Sequence, residues 1–203
     1  APIFYEKRRE PPMFCMRCGA ALPEGAKFCT ACGQPAGAPP ARAAAPAASP
    51  AFSRYLALVE GRAGAPGTYV ADLCAWQFYS TRMSAALAKM KQFFFLREME
   101  GADGAQAQAF AEACVQRALA NYPGLPRGFQ NGVVIYPVLC QQRATPGALE
   151  YVRALPKNHF AAFACPMLFE YATGNLYYGT ELPVWGFAMV GGIRKAGAAL
   201  LKP

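Results

Sequence analysis

Apolar positions recur with a helical period between Asp103 and Tyr122. Ala107, Ala111, Cys114, Ala118 and Tyr122 share one stripe, and Gln108, Glu112 and Gln116 lie off it. Asp103 can cap this helix, with Gln106 in the capping-box position, and Pro123-Gly124 ends it. A second helix opens at Thr145-Pro146, a cap followed by proline at the first helical position, and stops before Pro156. Ser84–Lys91 is helical in composition, and Trp185 to Leu201 reads as a helix weakened by Gly186, Gly191, Gly192 and Gly197.

The intervening stretches follow strand patterns. Thr68–Trp76 is β-rich, and Gln92–Met99 contains the continuous run Phe93-Phe94-Phe95-Leu96. Val133–Leu139 is wholly apolar between Asn131-Gly132 and Gln141-Gln142-Arg143, with Pro137 placing a break or an edge in it. Phe160–Cys165 and Met167–Tyr171 are β-rich around Pro166, and Thr173-Gly174-Asn175 turns the chain into Leu176–Tyr178 as a hairpin. Strands alternating with helices and closing on a hairpin predict an α/β domain, a mixed sheet covered by helices. The α+β class is the neighbouring alternative.

Composition sets the class of molecule. Of 203 residues, 54% are apolar and 16% charged, a globular balance. No apolar run reaches the ~18–20 residues of a bilayer-spanning helix. The first apolar stretches are short and interrupted by Glu6, Lys7, Arg8, Arg9 and Glu10, unlike a secretory signal. These features predict a cytoplasmic chain. The net charge of +8 is spread out: residues 1–33 carry five basic and three acidic side chains, and residues 51–203 carry fourteen and nine. Such a charge would attract nucleic acid or an anionic membrane surface if it were clustered; unclustered, it serves solubility. At the C-terminus, Arg194-Lys195 and Lys202 with Leu200 and Leu201 form a weak membrane-surface candidate.

Four of the eight cysteines form two tight pairs, and the others, Cys74, Cys114, Cys140 and Cys165, stand alone among apolar residues as small buried hydrophobes do. This is the distribution of a reducing compartment rather than of a disulfide framework. Residues 1–12 precede Met13 as an extension, native or left from expression. The cysteine module spans 13–35, an Ala/Pro-rich linker spans 36–50, and the α/β domain spans 51–203. From Gly37 to Pro50 only Arg42 and Ser49 have polar side chains, so the segment has nothing to bury and reads as a tether.

Within the module the unit Phe-Cys-x-x-Cys-Gly occurs twice, at Phe14–Gly19 and Phe28–Gly33. Two residues between cysteines let both sulfurs face one tetrahedral centre, at Zn–S distances of ~2.3 Å. The residues between the pairs, Gly19 to Phe28, can form a hairpin arm, with Leu22-Pro23-Glu24-Gly25 as turn residues. About twenty residues bury too little apolar surface to fold alone. A metal replaces the missing core, and its binding supplies ~10–16 kcal/mol in such sites. The spacing therefore predicts that Cys15, Cys18, Cys29 and Cys32 hold one structural Zn²⁺, with Arg17 and Lys27 placed to moderate the charge of four thiolates. Redox Cys-x-x-Cys pairs are the competing reading, but those open a helix, and here glycine follows each pair with no helical pattern behind it. Iron uses similar ligands, so zinc and iron both fit the donor set.

Residues 13–35, including Leu22-Pro23 and Ala26-Lys27-Phe28-Cys29, resemble the short zinc-ribbon family found at the N-termini of bacterial and archaeal proteins. The resemblance implies that the paired cysteines are zinc ligands and that the module is structural and interactive; it implies no activity. In the domain that follows, Leu125-Pro126-Arg127-Gly128, Phe160-Ala161-Ala162-Phe163 and Pro183-x-Trp185-Gly186 resemble prokaryotic proteins of unassigned function and bring no activity either.

Candidate chemistry in residues 51–203 is sparse. His159, the only histidine, has no carboxylate at a pairing distance in sequence and reads as a turn or strand-cap residue before it reads as a general base. Asp72 and Glu98, with Glu100 on the same strand face as Glu98, are candidate nuclease-like metal ligands but lack an Asp…Glu-x-Lys spacing. The glycine-rich loop 124–132 offers Arg127, Gln130 and Asn131 as a polar binding set, without the Gly-Lys-Ser/Thr of a phosphate loop. The expectation is a zinc-binding protein that engages a protein partner. A nucleic-acid-binding protein is the first alternative, and an enzyme with a site assembled from distant residues is the second.

Overall fold

The computed structural model describes residues 13–14, 21–22, 26, 28, 45–83, 89–120, 131–154, 162–180 and 187–203. The chain divides into two compact units, Ala1–Ala44 and Ala45–Pro203. In the first, β1 (Met13–Phe14) pairs antiparallel with β2 (Ala21–Leu22), Met13 opposite Leu22 and Phe14 opposite Ala21. β2 lies in the arm expected between the cysteine pairs, but it pairs backward with the start of the module; the turn expected at 23–25 lies outside the described residues.

The second unit is a seven-stranded mixed sheet between two layers of helix, so the α/β expectation holds. It opens with α1 (Pro50–Ala63), which the sequence reading did not anticipate. Its start carries the same signal read correctly at Thr145-Pro146: Ser49 is the N-cap, accepting the Phe52 N–H at 3.0 Å, and Pro50 is the first helical residue. The expected linker 36–50 therefore gives its last two residues to the helix start. Phe52, Tyr55, Leu56 and Val59 give the helix a buried face.

The expected strand 68–76 is two strands. β3 (Thr68–Val70) and β4 (Ala75–Met83) are separated by a 3₁₀ turn, Ala71–Leu73, and by Cys74 in the left-handed region (φ 48°), so the chain folds back into a hairpin. The helix expected over 84–91 is also corrected. Residues 84–88 lie outside the described residues, and Lys89, Met90 and Lys91 begin β5 (Lys89–Glu98), antiparallel to β4 from Met83 opposite Lys89 to Trp76 opposite Leu96. Pairing to a long neighbour overrides the helical composition of a few residues.

α2 (Gly104–Ala120) crosses over to β6 (Asn131–Gln141), which runs parallel to β5. The capping box forms in full: Gln106 N–H donates to Asp103 Oδ1 at 2.8 Å, and Asp103 N–H donates to Gln106 Oε1 at 3.0 Å. Ala107, Ala111, Cys114 and Ala118 are buried as the stripe predicts, and Phe110 and Val115 widen it; Tyr122 and the stop at Pro123-Gly124 lie outside the described residues. α3 (Pro146–Arg153), capped by Thr145, then leads to β7 (Ala162–Ala164), β8 (Met167–Glu170) and the antiparallel β9 (Asn175–Tyr178). The last element is α4 (Phe187–Leu201).

Pro137 neither breaks β6 nor marks an edge. β6 is central, with β5 along its whole length on one side and two short parallel strands on the other. β7 pairs with Val133–Ile135, and β8 pairs with Val138–Gln141. The Ile135 carbonyl accepts the Cys165 N–H at 2.8 Å on that second side. Alternation turns Pro137 the same way, so its missing N–H falls at the junction between β7 and β8, where Pro166 stands.

One sheet face carries Phe94, Val134, Tyr136, Val138 and Met167 against Phe52, Tyr55 and Val59 of α1 and Ile193 and Leu201 of α4. The other carries Phe93, Phe95, Ile135, Leu139 and Leu168 against α2 and α3. Fully burying each large side chain is worth ~1.5–3 kcal/mol, which is why the run 93–96, aimed alternately at both layers, sits in the middle of the sheet. Tyr55 stacks on Phe169 (3.8 Å between centroids), and its hydroxyl donates to the Leu201 carbonyl at 2.8 Å, tying α1 to the end of α4.

Two glycine contacts set the approach of the layers. A Cβ on Gly197 would fall 2.5 Å from a Tyr136 ring carbon, so the glycine that weakens α4 as a helix lets it lie directly on the sheet. Gly104 and Gly147 meet backbone to backbone at the starts of α2 and α3; a Cβ on Gly104 would lie 2.9 Å from the Gly147 carbonyl oxygen. Beside them the fully buried Gln141 donates to the carbonyls of Met99 and Ala102, each at 3.1 Å, and accepts the Thr145 N–H at 3.1 Å.

Candidate metal centre and polar groups of the sheet domain

In the N-terminal unit the paired strands β1 and β2 flank residues 15–20, the stretch that carries Cys15 and Cys18. Phe28, just before Cys29, is exposed. Cys15, Cys18, Cys29 and Cys32 themselves lie outside the described residues. Their donor chemistry, four thiols in two Cys-x-x-Cys-Gly units, fits a tetrahedral zinc site.

In the sheet domain the carboxylates weighed as metal ligands are turned to opposite faces. Asp72, in the turn after β3, pairs with Arg117 of α2 at 3.0 Å, and both side chains are substantially exposed. Glu98, at the end of β5, accepts from the N–H of Ser49 (3.1 Å) and from its hydroxyl, on the side covered by α1. Glu100 leaves the strand and accepts the Gln142 N–H. Among the described residues no three His, Cys, Asp or Glu side chains converge on a point. Arg127, Gln130 and His159 lie outside the described residues; Asn131 is the first residue of β6, opposite Lys89, and its side chain is not described.

Cys74, expected to be buried, is exposed in the β3–β4 turn, whereas Cys114, Cys140 and Cys165 are buried; all four are free thiols. Burial pushes the thiols of Cys114 and Cys140 far above their ordinary range, and that of Cys165 up to about 11, with the nearby Arg194 guanidinium pulling the other way. These three buried thiols stay protonated near neutral pH, so none of the three is primed as a nucleophile.

Besides Gln141, three polar side chains of the sheet domain are buried. Glu170, on the α2–α3 side, accepts from Thr173 Oγ1 (2.5 Å), the Ala144 N–H (2.9 Å) and the Tyr177 hydroxyl (3.0 Å). These bonds, that from Thr173 foremost, hold its carboxyl below the ordinary glutamate value. On the other side, Gln92 accepts from Ser80 Oγ (3.0 Å) and donates to the Tyr136 hydroxyl (3.1 Å), which donates to the Ile193 carbonyl of α4 (2.9 Å). The third is Arg194, 6% exposed, whose Nη1 and Nη2 have no hydrogen-bond partner among the described residues. Read in sequence as part of a surface strip, Arg194 and Leu201 instead face inward, while Lys195 and Lys202 are exposed. No described helix is long and apolar enough to cross a membrane.

Residues 14–36 match the family model of the zinc-ribbon domain. The chain therefore carries a zinc-ribbon segment at its N-terminal end, a zinc-binding module preceding the mixed-sheet domain. Comparison with curated proteins and with solved structures returned no match.

Proposed function

We propose that Cys15, Cys18, Cys29 and Cys32 hold one structural Zn²⁺, and that the ribbon so formed is an interaction module which, with the sheet domain, engages a protein partner in the cytoplasm. The observation that carries this reading is the zinc-ribbon match over residues 14–36, which contains both Cys-x-x-Cys-Gly units. Zinc supplies there the cohesion that so short a segment cannot obtain from burial. Ala1–Ala44, which contains the matched segment, is a compact unit in its own right. Two surfaces on one chain raise the effective concentration of the second contact once the first is made. The free thiols of Cys74, Cys114, Cys140 and Cys165 suit a reducing compartment.

The test is affinity capture with the full chain and with the full-length double variant Cys15→Ser/Cys18→Ser, measuring zinc content on both. The reading expects the variant to lose its metal and to recover the partner poorly. Equal recovery by a metal-free variant would count against the ribbon as a contact surface.

A further inference from the structure

Arg194 sits in the third turn of α4 with its side chain inside the molecule, between apolar neighbours of its own helix, Val190 and Ile193, and beside the Cys165 thiol. A buried guanidinium is costly unless an anion faces it. On this side of the sheet Glu60 accepts the Gly67 N–H at 2.9 Å, and Glu98 is engaged by Ser49. Asp72, on the other side, pairs with Arg117. Cys165 is neutral and offers no counter-charge.

Open space lies one turn before it, at Gly191. A helical side chain leans toward the N-terminus, over the residues three and four positions earlier, here Gly191 and Val190. Gly191 is half-buried, and a Cβ built on it would meet nothing within 4 Å. The orphan groups are the two terminal nitrogens, the fork that a carboxylate engages through both oxygens.

The geometry points to a carboxylate-binding site on the sheet domain, in which Nη1 and Nη2 of Arg194 receive the monoanionic carboxylate of a ligand admitted past Gly191. One guanidinium in apolar surroundings neutralises one negative charge, which favours a carboxylate over a phosphate dianion. The carboxylate belongs either to a small organic acid or to the C-terminus of a peptide, and both present the same two oxygens.

The experiment follows thermal unfolding of the full-length protein with acetate, with N-acetyl-triglycine and with phosphate, at ionic strength held constant with sodium chloride, alongside Arg194→Met and Gly191→Leu. The wild-type midpoint is expected to climb with the logarithm of carboxylate concentration. The more effective of acetate and the peptide identifies the source. Arg194→Met should weaken binding about 10- to 100-fold, the factor carried by hydrogen bonds to a charged group, without lowering the ligand-free midpoint. Gly191→Leu should raise the ligand-free midpoint through helix propensity and still abolish the carboxylate response.

No carboxylate response in the wild type, an equal response in Arg194→Met, or a preference for phosphate would overturn the site. So would loss of ligand-free stability in both Arg194→Met and Glu181→Gln. That result would give the guanidinium an internal partner in Glu181, the acidic residue of 45–203 outside the described residues. Should Arg194→Met fail to fold, Gly191→Leu carries the decision alone.

Discussion

Substituting Tyr136→Phe should isolate the contribution of the polar chain that joins the β4–β5 hairpin to α4. The Phe94–Tyr136 stack (4.4 Å between centroids, 7° between planes) needs no hydroxyl, so the apolar contribution of the ring is retained. What is lost is a fully buried oxygen that accepts from Gln92 Nε2 and donates to Ile193. Gln92 is only 7% exposed, so its amide would be left without an acceptor and with little access to water. A stranded buried donor costs ~1–3 kcal/mol and a lost neutral hydrogen bond ~1 kcal/mol, giving ~2–4 kcal/mol in all. In a domain of this size that is a drop in Tm of roughly 5–15 °C.

Denaturation followed by tryptophan emission reads this domain specifically, because Trp76 and Trp185 are the only tryptophans in the chain. The double variant Gln92→Leu/Tyr136→Phe removes both partners together and should recover at least ~1 kcal/mol of the loss, since no buried amide is then left without its acceptor; Ser80, the remaining partner of Gln92, is exposed to water. A single variant within ~0.5 kcal/mol of wild type, or a double variant worse than the sum of the singles, would refute this account of the chain.

Elemental analysis of the purified protein should find zinc, and Cys29→Ser should remove it while leaving the tryptophan-detected transition within about 0.5 kcal/mol of wild type. Ser49→Ala deletes the cap of α1 and both hydroxyl-mediated bonds around it, for a loss of ~1–2 kcal/mol in the same denaturation assay. For Glu170 the sign follows from its lowered folded-state value. The folded protein binds this proton less readily than the unfolded chain, so the stabilisation is present above the ordinary glutamate value and is lost as the pH falls through the lower one. Glu170→Gln should therefore cost ~2 kcal/mol at neutral pH and progressively less as the pH falls through the lowered folded-state value, measured by urea midpoints across the acid range. Asp72→Asn should change stability by less than ~1 kcal/mol, because its ion pair with Arg117 is exposed.

Where local signals and burial agree, the sequence was informative. The α2 stripe and its capping box, the Thr145-Pro146 helix start and the β8–β9 hairpin each depend on residues close in sequence, and each formed as read. Ser49-Pro50 carried the same helix-start signal, but its alanine- and proline-rich surroundings masked it. Lys89–Lys91 and Pro137 went the other way because their state depends on partner strands: a neighbour extending past Phe93 in one case, and a junction of two short strands in the other. The ribbon was legible because metal ligation imposes fixed spacing on the chain. Arg194 was not, since only the packing of α4 decides whether such a residue faces water, and its neighbours Lys195 and Lys202 do.

The contact between Gly104 and Gly147 makes two distant stretches of chain answer to one dimension. Any substituent at either position acts as a wedge between the helix starts, and enlarging one cannot be offset at the other, which is already as small as a residue can be. A saturation library at these two sites should therefore sort by volume alone, indifferent to charge or hydrophobicity. Tolerated enlargements should first be detected as faster amide exchange at Thr145 and Ala102, next to the Gln141 clamp they would prise open.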